Sequence, residues 1–187
     1  MYDKKTGIFL KNDLKLHRNN LNVLENLKYF MLKYKIKNFL DLGCGTAFYA
    51  RELVKIGLIG DAYDGNPFTK ELSDNFAGII DLSKSFNLDR QYDCVISLEV
   101  GEHIPVEYEK VFIENIIKHS KKFIILIRAI PGRPGTGHVN CRDNDYIIRI
   151  LNKNNYKYMF DETQIFRKNI SKYNFFKNTI MIFELIF

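Results

Sequence analysis

Cysteine is scarce in this chain: three residues out of 187, at positions 44, 94 and 141. An odd and widely spaced set excludes a disulfide framework and supplies no ligand run for structural zinc, which predicts a reducing compartment. Long hydrophobic runs are missing as well. The longest late one, Thr179 to Phe187, is broken by Glu184 and is far too short to span a bilayer. No apolar segment follows Met-Tyr-Asp-Lys-Lys at the start, so no secretory signal is expected, and the chain reads as cytoplasmic without membrane insertion. Neither an internal repeat nor a linker-like stretch divides it. One domain over 1–187 is expected, a helical segment at 1–35 leading into a core at 36–187.

Acidic charge is in deficit: 22 Asp and Glu against 28 Lys and Arg give +6. The lysines are spread along the chain, with only short clusters such as Lys118-His119-Ser120-Lys121-Lys122. That distribution describes a generally basic surface better than a localised nucleic-acid patch.

The chain is organised around Asn38-Phe39-Leu40-Asp41-Leu42-Gly43-Cys44-Gly45-Thr46-Ala47. An apolar run ends in an acid, two glycines follow at alternate positions, and a helical pattern begins at once. This order predicts a buried strand, a tight turn and a helix N-terminus, a common seat for nucleotide-like ligands. A dinucleotide fingerprint needs a third glycine where Phe48 stands, and the Gly-Lys-Ser/Thr ending of a phosphate loop is absent.

On either side the pattern alternates between helix and strand. Apolar residues three and four apart predict a helix from about Asp13 to Tyr34, then a strand at 37–42, a helix at 47–56 and a strand ending at Asp64. Asp64 lies about 20 residues past the glycine turn, where a βαβ unit returns an acid to ribose hydroxyls; Asp61 is the rival position. A short helix at 68–75 and a strand at 77–82 follow, then a near-continuous apolar strand at 92–98, suited to the centre of a parallel sheet. A helix at 106–119 and a strand at 123–127 come next. The span from Arg128 to Arg142 holds three glycines and two prolines, which predicts a long functional loop. Asp143 can cap a helix at 144–151. Residues 157–166 and 178–186 read as two closing strands, a hairpin-like antiparallel pair.

Asp41-Leu42-Gly43-Cys44-Gly45 resembles the D-x-G-x-G turn of the class I S-adenosylmethionine-dependent methyltransferases. Ser97-Leu98-Glu99 and Glu102-His103-Ile104-Pro105 are similar to the segment after strand four in many of their small-molecule members. The likeness covers roughly residues 36–163. It implies an α/β, Rossmann-like, doubly wound seven-stranded sheet, mostly parallel with the last strand antiparallel and helices on both faces. It implies S-adenosyl-L-methionine as cofactor and S-adenosyl-L-homocysteine as product. Asp41, Gly43 and Gly45 would surround the methionine end, Asp64 the ribose, Asp81 and Leu82 the adenine, and Glu99 would border the cofactor after strand four. The family often has a third glycine at Ala47, a replacement that an early helix position should accept easily.

His138, His103 and Glu102 are the candidates for chemistry, the histidines as bases toward a hydroxyl and Glu102 as the group orienting one. Structural roles stay open for all of them: loop organiser, helix packing and a favourable charge at a helix start. No metal is expected, because the loop offers no acid before Asp143 and His138 with Cys141 makes only two ligands. The Asn/Asp-Pro-Pro-Tyr signature of amino-directed enzymes is absent, and the Lys-Asp-Lys-Glu set of ribose-directed RNA enzymes has no clear counterpart. The resemblance therefore points to O-methylation of a small polar acceptor such as a sugar or glycan hydroxyl. The alternatives are an RNA methyltransferase, motivated by net charge and by Arg128, Arg133 and Arg142, and a non-catalytic binding module. Oligomeric state is not legible.

Overall fold

The computed structural model describes residues 2–12, 19–170 and 175–186. One seven-stranded sheet dominates it: β1 (Asn38–Leu42), β2 (Ile59–Asp64), β3 (Gly78–Ile79), β4 (Tyr92–Leu98), β5 (Ser120–Ile127), β6 (Tyr156–Tyr158) and β7 (Ile180–Leu185). Their spatial order is β3-β2-β1-β4-β5-β7-β6. The neighbouring strands β1 to β5 pair in parallel, and β7 runs antiparallel to both β5 and β6. The expected architecture is the observed one.

Side chains alternate across the sheet, as strand geometry requires. Phe39, Cys94, Ile96, Phe123, Ile125 and Ile182 point to one core. There they meet Val23, Leu27 and Phe30 of α1 (Leu21–Lys33), Ala50 and Leu53 of α2 (Phe48–Lys55), and Phe166 of a later helix. Leu40, Leu42, Val95, Ile124, Met181 and Phe183 point to the other core. Opposite them lie Phe112, Ile113 and Ile116 of α4 (Glu109–His119) and Ile147 and Leu151 of α5 (Asn144–Lys153). Because both faces are covered, the central strands carry no polar face to water.

Three expectations need correction. The first helix begins at Leu21, where the Asn20 side chain accepts from the Val23 N–H at 3.1 Å and caps it; positions 13–18 of the expected helix lie outside the described residues. The stretch 157–166 is not a strand throughout. Strand β6 ends at Tyr158, and α6 (Phe160–Asn169) buries Glu162, Thr163 and Phe166 along one face, with Asp161 in its first turn and Arg167 and Lys168 in its last. That charge order suits the helix dipole, and it outweighs the local aromatic content. Short elements complete the chain: α3 (Thr69–Leu72), a 3-10 turn at Val106–Tyr108 and α7 (Phe176–Thr179).

The amino-terminal stretch, expected to belong to a helical segment at 1–35, forms a compact strap over residues 2–9. Gly7 N–H donates to the Asp3 carbonyl at 2.8 Å, Asp3 N–H to Ile8 at 2.8 Å, and Tyr2 bridges Phe9. It lies across the carboxyl ends of the parallel strands. No helix among the described residues is long and apolar enough to cross a membrane.

Candidate active site

The strand order reverses between β1 and β4, and a cavity of about 770 Å³ opens beyond their carboxyl ends. In open α/β sheets this crevice is where ligands bind. The glycine turn forms its floor. Gly43 sits at φ +82°, and a Cβ there would fall 2.2 Å from Cγ2 of Val100. Only glycine fits both the backbone and the space. The Gly43 and Cys44 N–H groups donate to the Tyr63 carbonyl at 2.8 and 3.2 Å, which fastens the turn to β2. Ala47 is less comfortable than the sequence suggested. It precedes α2 in the left-handed region, φ 55°, fully buried, a conformation that costs an L-residue about 1–2 kcal/mol.

Asp64 closes the near wall. Its Oδ2 accepts from Gly45 N–H at 2.8 Å and its Oδ1 from Asn66 N–H at 2.9 Å, so the carboxylate is fixed by backbone on both sides. Its rival Asp61 is turned away, accepting from the Tyr92 hydroxyl at 2.5 Å and pairing with Arg90 at 3.2 Å. Asp41 lines the cavity while 3% exposed, and no side-chain hydrogen bond partners it among the described residues. Burial, reinforced by the charge of Asp64, pushes its carboxyl up to about 7. A cationic group entering here would meet an acid with nothing else to bind. Leu82 also lines the cavity, but the Asp81 carboxylate does not. Asp81 accepts from Ser83 N–H and Oγ at 3.0 and 2.6 Å and pairs with Lys84 at 3.1 Å.

The segment after β4 supplies the far wall. Glu99 stands at φ 61°, a left-handed strand end of the kind that gathers at functional sites. Its carboxylate takes both ends of the Arg133 guanidinium, Oε1 receiving Nη1 at 2.9 Å. That guanidinium sits over the Phe175 ring, its Cζ 3.7 Å from the ring centre. Glu102 is wholly buried, and among the described residues neither carboxylate oxygen has a full hydrogen-bond partner, although the Glu102 and Ala129 N–H groups lie near enough to favour the charged form. Burial, then the charge of Glu99, raises its carboxyl to about 8.

His103 donates from Nδ1 to the Gly137 carbonyl at 3.0 Å, and His138 from Nδ1 to the Arg133 carbonyl at 3.2 Å. Both rings therefore keep Nε2 as a lone-pair site. The rings meet edge to face at 5.2 Å, and Phe9 of the strap packs against His103 at 5.0 Å. Burial drives His103 down to about 4, so it is neutral at ordinary pH. Glu102, His103 and His138 each bring a ligand atom within 4.8 Å of the others.

This cluster bears on the expectation of no metal. That expectation rested on the loop after β5 having no acid, but the loop's contribution here is an imidazole. A buried carboxylate beside two imidazoles is a fitting donor set for a first-row divalent cation. All three sequence candidates for chemistry thus come together.

What unites them is a network that the sequence did not reveal. The Glu102 carbonyl accepts from both Val139 and Asn140 N–H, at 2.9 and 3.0 Å, and so holds the His138 loop against the β4 segment. Both ends of that loop converge on buried Glu109. It accepts from Arg128 at 2.7 Å, Asn140 at 3.0 Å, Arg142 at 3.2 Å and the Tyr146 hydroxyl at 2.6 Å. Burial would raise this carboxyl, but bonds from Tyr146, Arg142 and Arg128 hold it below the ordinary range. The strap was missed as well. Thr6, Gly7, Ile8 and Phe9 line the cavity, with Ile8 against Gly65 and Gly7 against the His103 carbonyl. No local signal in so polar a stretch announces this.

A parallel sheet with one antiparallel strand in this order, carrying a glycine turn and strand-end acids at its switch point, defines the fold of the class I S-adenosylmethionine-dependent methyltransferases. No protein-family model and no curated protein matches the sequence, whereas solved structures match the fold. One is the magnesium protoporphyrin IX methyltransferase of Synechocystis PCC 6803 with bound S-adenosylmethionine, 17% identical, TM-score 0.62, covering 86% of this chain and 76% of that one. Another is a sugar N-methyltransferase from Streptoalloteichus, 10% identical, TM-score 0.67, covering 88% and 87%. The methyltransferase domain of bacterial CtHen1 is 16% identical, TM-score 0.63, covering 89% and 99%.

Proposed function

We propose that this chain is an S-adenosylmethionine-dependent methyltransferase acting on a hydroxyl oxygen, and that Glu102, His103 and His138 hold a divalent cation beside the acceptor. The observation that carries this reading is Glu102: a buried carboxylate whose two oxygens have no hydrogen-bond partner among the described residues, with a ring nitrogen of His103 and one of His138 within 4.8 Å. The cofactor's presence is supported by the crevice itself. Asp41 would receive the ammonium group, Gly43 and Gly45 the methionine backbone, and Asp64 the ribose hydroxyls, with Leu82 beside the adenine. Asp81 would act through the turn it braces, and Glu99 borders the transferred methyl group.

A sulfonium donor is already activated, so alignment of hydroxyl, methyl carbon and sulfur does most of the work and can be worth ~7–11 kcal/mol. The remaining need is to remove the hydroxyl proton. A cation held by these three residues would lower the acidity threshold of a neighbouring hydroxyl. In its absence the Nε2 of His138, with Nδ1–H tied to a carbonyl, would be the atom that takes the proton. Three protein ligands leave positions for acceptor oxygens, which favours an acceptor with adjacent hydroxyls, a sugar or glycan.

An RNA acceptor is the second reading, and the net charge of +6 favours it. The loop arginines do not add to that case: Arg128 and Arg142 are committed to Glu109, and Arg133 to Glu99. Fractionated cell extract with radiolabelled cofactor, with EDTA or Mn²⁺ present, tests the proposal. Label should enter a hydroxyl-bearing fraction with Mn²⁺, and His138→Ala should lower transfer by ~10²–10⁴-fold with homocysteine-product binding retained. Product binding with no label in any fraction would leave a binding module.

A further inference from the structure

The geometry points to Arg133 as an internal cation that occupies the acidic end of the cation site and gives way when a divalent ion binds. The inference rests on the metal reading above and deepens it. Three contacts define the residue. Its guanidinium takes both oxygens of Glu99, its Cζ sits 3.7 Å from the Phe175 ring centre, and its own carbonyl receives His138 Nδ1. One residue therefore touches both the acid that enters the site after β4 and the imidazole that enters from the loop.

Glu99 and Glu102 are three residues apart, joined by the turn in which His103 N–H donates to the Val100 carbonyl at 2.9 Å. Two carboxylates so close in a largely buried wall need a counter-charge. Two cations touch that wall: Arg128 packs against Gly101 but is committed to Glu109, whereas Arg133, its side chain only 15% exposed, is the one bound to Glu99. It can neutralise Glu99, but it leaves Glu102 unpartnered. A dication at Glu102, His103 and His138 would supply the missing charge and would repel the guanidinium beside it. Glu99 would then be released toward the ion. Phe175 offers the displaced guanidinium a surface to stay on, because planar Arg stacks on aromatic faces without needing a carboxylate.

Arg133 thus competes with the ion, and removing its charge should strengthen binding of metal rather than weaken it. A unit charge within several ångströms of a dication, at an effective dielectric near ~20, is worth enough for a gain on the order of tenfold or more in affinity. Isothermal titration of the full chain with Mn²⁺ is the test, on wild type, Glu102→Gln, Arg133→Gln and Arg133→Lys, with S-adenosylhomocysteine binding measured on each to show an intact fold. The expected order has Arg133→Gln tightest, by roughly tenfold or more over wild type. Arg133→Lys, which keeps the charge but loses the fork, should stay within about threefold of wild type. Glu102→Gln should lose Mn²⁺. Mn²⁺ binding by wild type that is unchanged or weakened in Arg133→Gln overturns the competition while leaving the metal site standing. Absence of Mn²⁺ binding in wild type and in Arg133→Gln overturns both, and binding by Arg133→Gln alone supports both. A gain shared equally by Arg133→Lys would assign the effect to loop packing and overturn the role of charge.

Discussion

Replacing Gly43 by alanine tests the floor of the cavity at one atom. The added Cβ would lie 2.2 Å from Val100 Cγ2 and 2.8 Å from Cγ1, on a backbone at φ +82°. The left-handed conformation costs an L-residue ~1–2 kcal/mol, and overpacking against Val100 adds ~1–3 kcal/mol. A total of ~2–5 kcal/mol is less than the whole stability of most domains, so the variant should fold. The strain falls on the turn whose N–H groups bind the Tyr63 carbonyl, so product affinity should fall by about tenfold or more. Val100→Ala alone should cost ~1–2.5 kcal/mol for its lost methyls. In the double variant most of the steric part is relieved, leaving a tight Cβ–Cβ approach of 3.1 Å, while the backbone part remains, so the two energies should fall short of additivity by ~1–3 kcal/mol. Urea unfolding of the four proteins, with calorimetry of S-adenosylhomocysteine, measures both effects. Additivity within ~0.5 kcal/mol would refute the clash as the cause, because residues out of contact behave that way.

Asp64→Asn keeps the shape but turns an amide toward one of the two backbone donors, Gly45 or Asn66; it should weaken product binding by ~2–3 kcal/mol in calorimetry, and unchanged affinity would remove Asp64 from the ribose. Glu102→Gln should stabilise the metal-free chain at pH 8 by ~1–3 kcal/mol, since an unpartnered buried carboxylate is relieved. The sign follows from the raised carboxyl. Between about 4.5 and about 8 the folded form of Glu102 binds a proton that the unfolded chain has released, so its contribution declines as pH rises. Urea curves for wild type and variant should converge near pH 5, and a gap independent of pH would contradict the burial argument. His103 works the other way, because its folded value of about 4 lies below the ordinary one, and it adds stability as pH rises from 4 toward 6.5. Glu109→Ala should cost ~3–5 kcal/mol by urea unfolding, since Arg128 would be left buried without its carboxylate; a loss below ~1 kcal/mol would show the hub to be dispensable.

Features carried by neighbouring residues were legible in the sequence. Tyr92 to Leu98 reads as a central strand and is one, because a strand buried on both faces needs an apolar run and little else. The glycines at 43 and 45 announced their turn, and Asp64 its place at the end of β2. What the sequence hid depends on distance along the chain. His103 and His138 are brought together by Glu102's carbonyl gripping the Val139 and Asn140 amides, and backbone acceptors have no signature in side-chain spelling. Nothing beside Glu109 in the sequence marks it, since its partners Arg128, Asn140, Arg142 and Tyr146 come from three other stretches. Helix α6 was misread for a different reason: Tyr156, Tyr158 and Phe160 continue a strand alternation two residues beyond where the backbone turns.

The strap gives the two ends of the molecule unlike neighbourhoods. Tyr2 lies near Gly137, where a Cβ on the glycine would come 3.5 Å from the tyrosine ring, at the rim of the cavity. Strand β7 runs the opposite way to its neighbours, its start at Ile180 pairing with Ile127 and its far end at Glu184 pairing with Phe123. Residue 186 therefore lies toward the amino-terminal ends of the parallel strands, opposite the cavity. An affinity tag or reporter joined ahead of residue 2 is delivered to the mouth of the site, where it competes for space with whatever enters. The same cargo joined after β7 hangs clear of it, which makes the carboxyl end the handle for immobilising or labelling this protein in a working state.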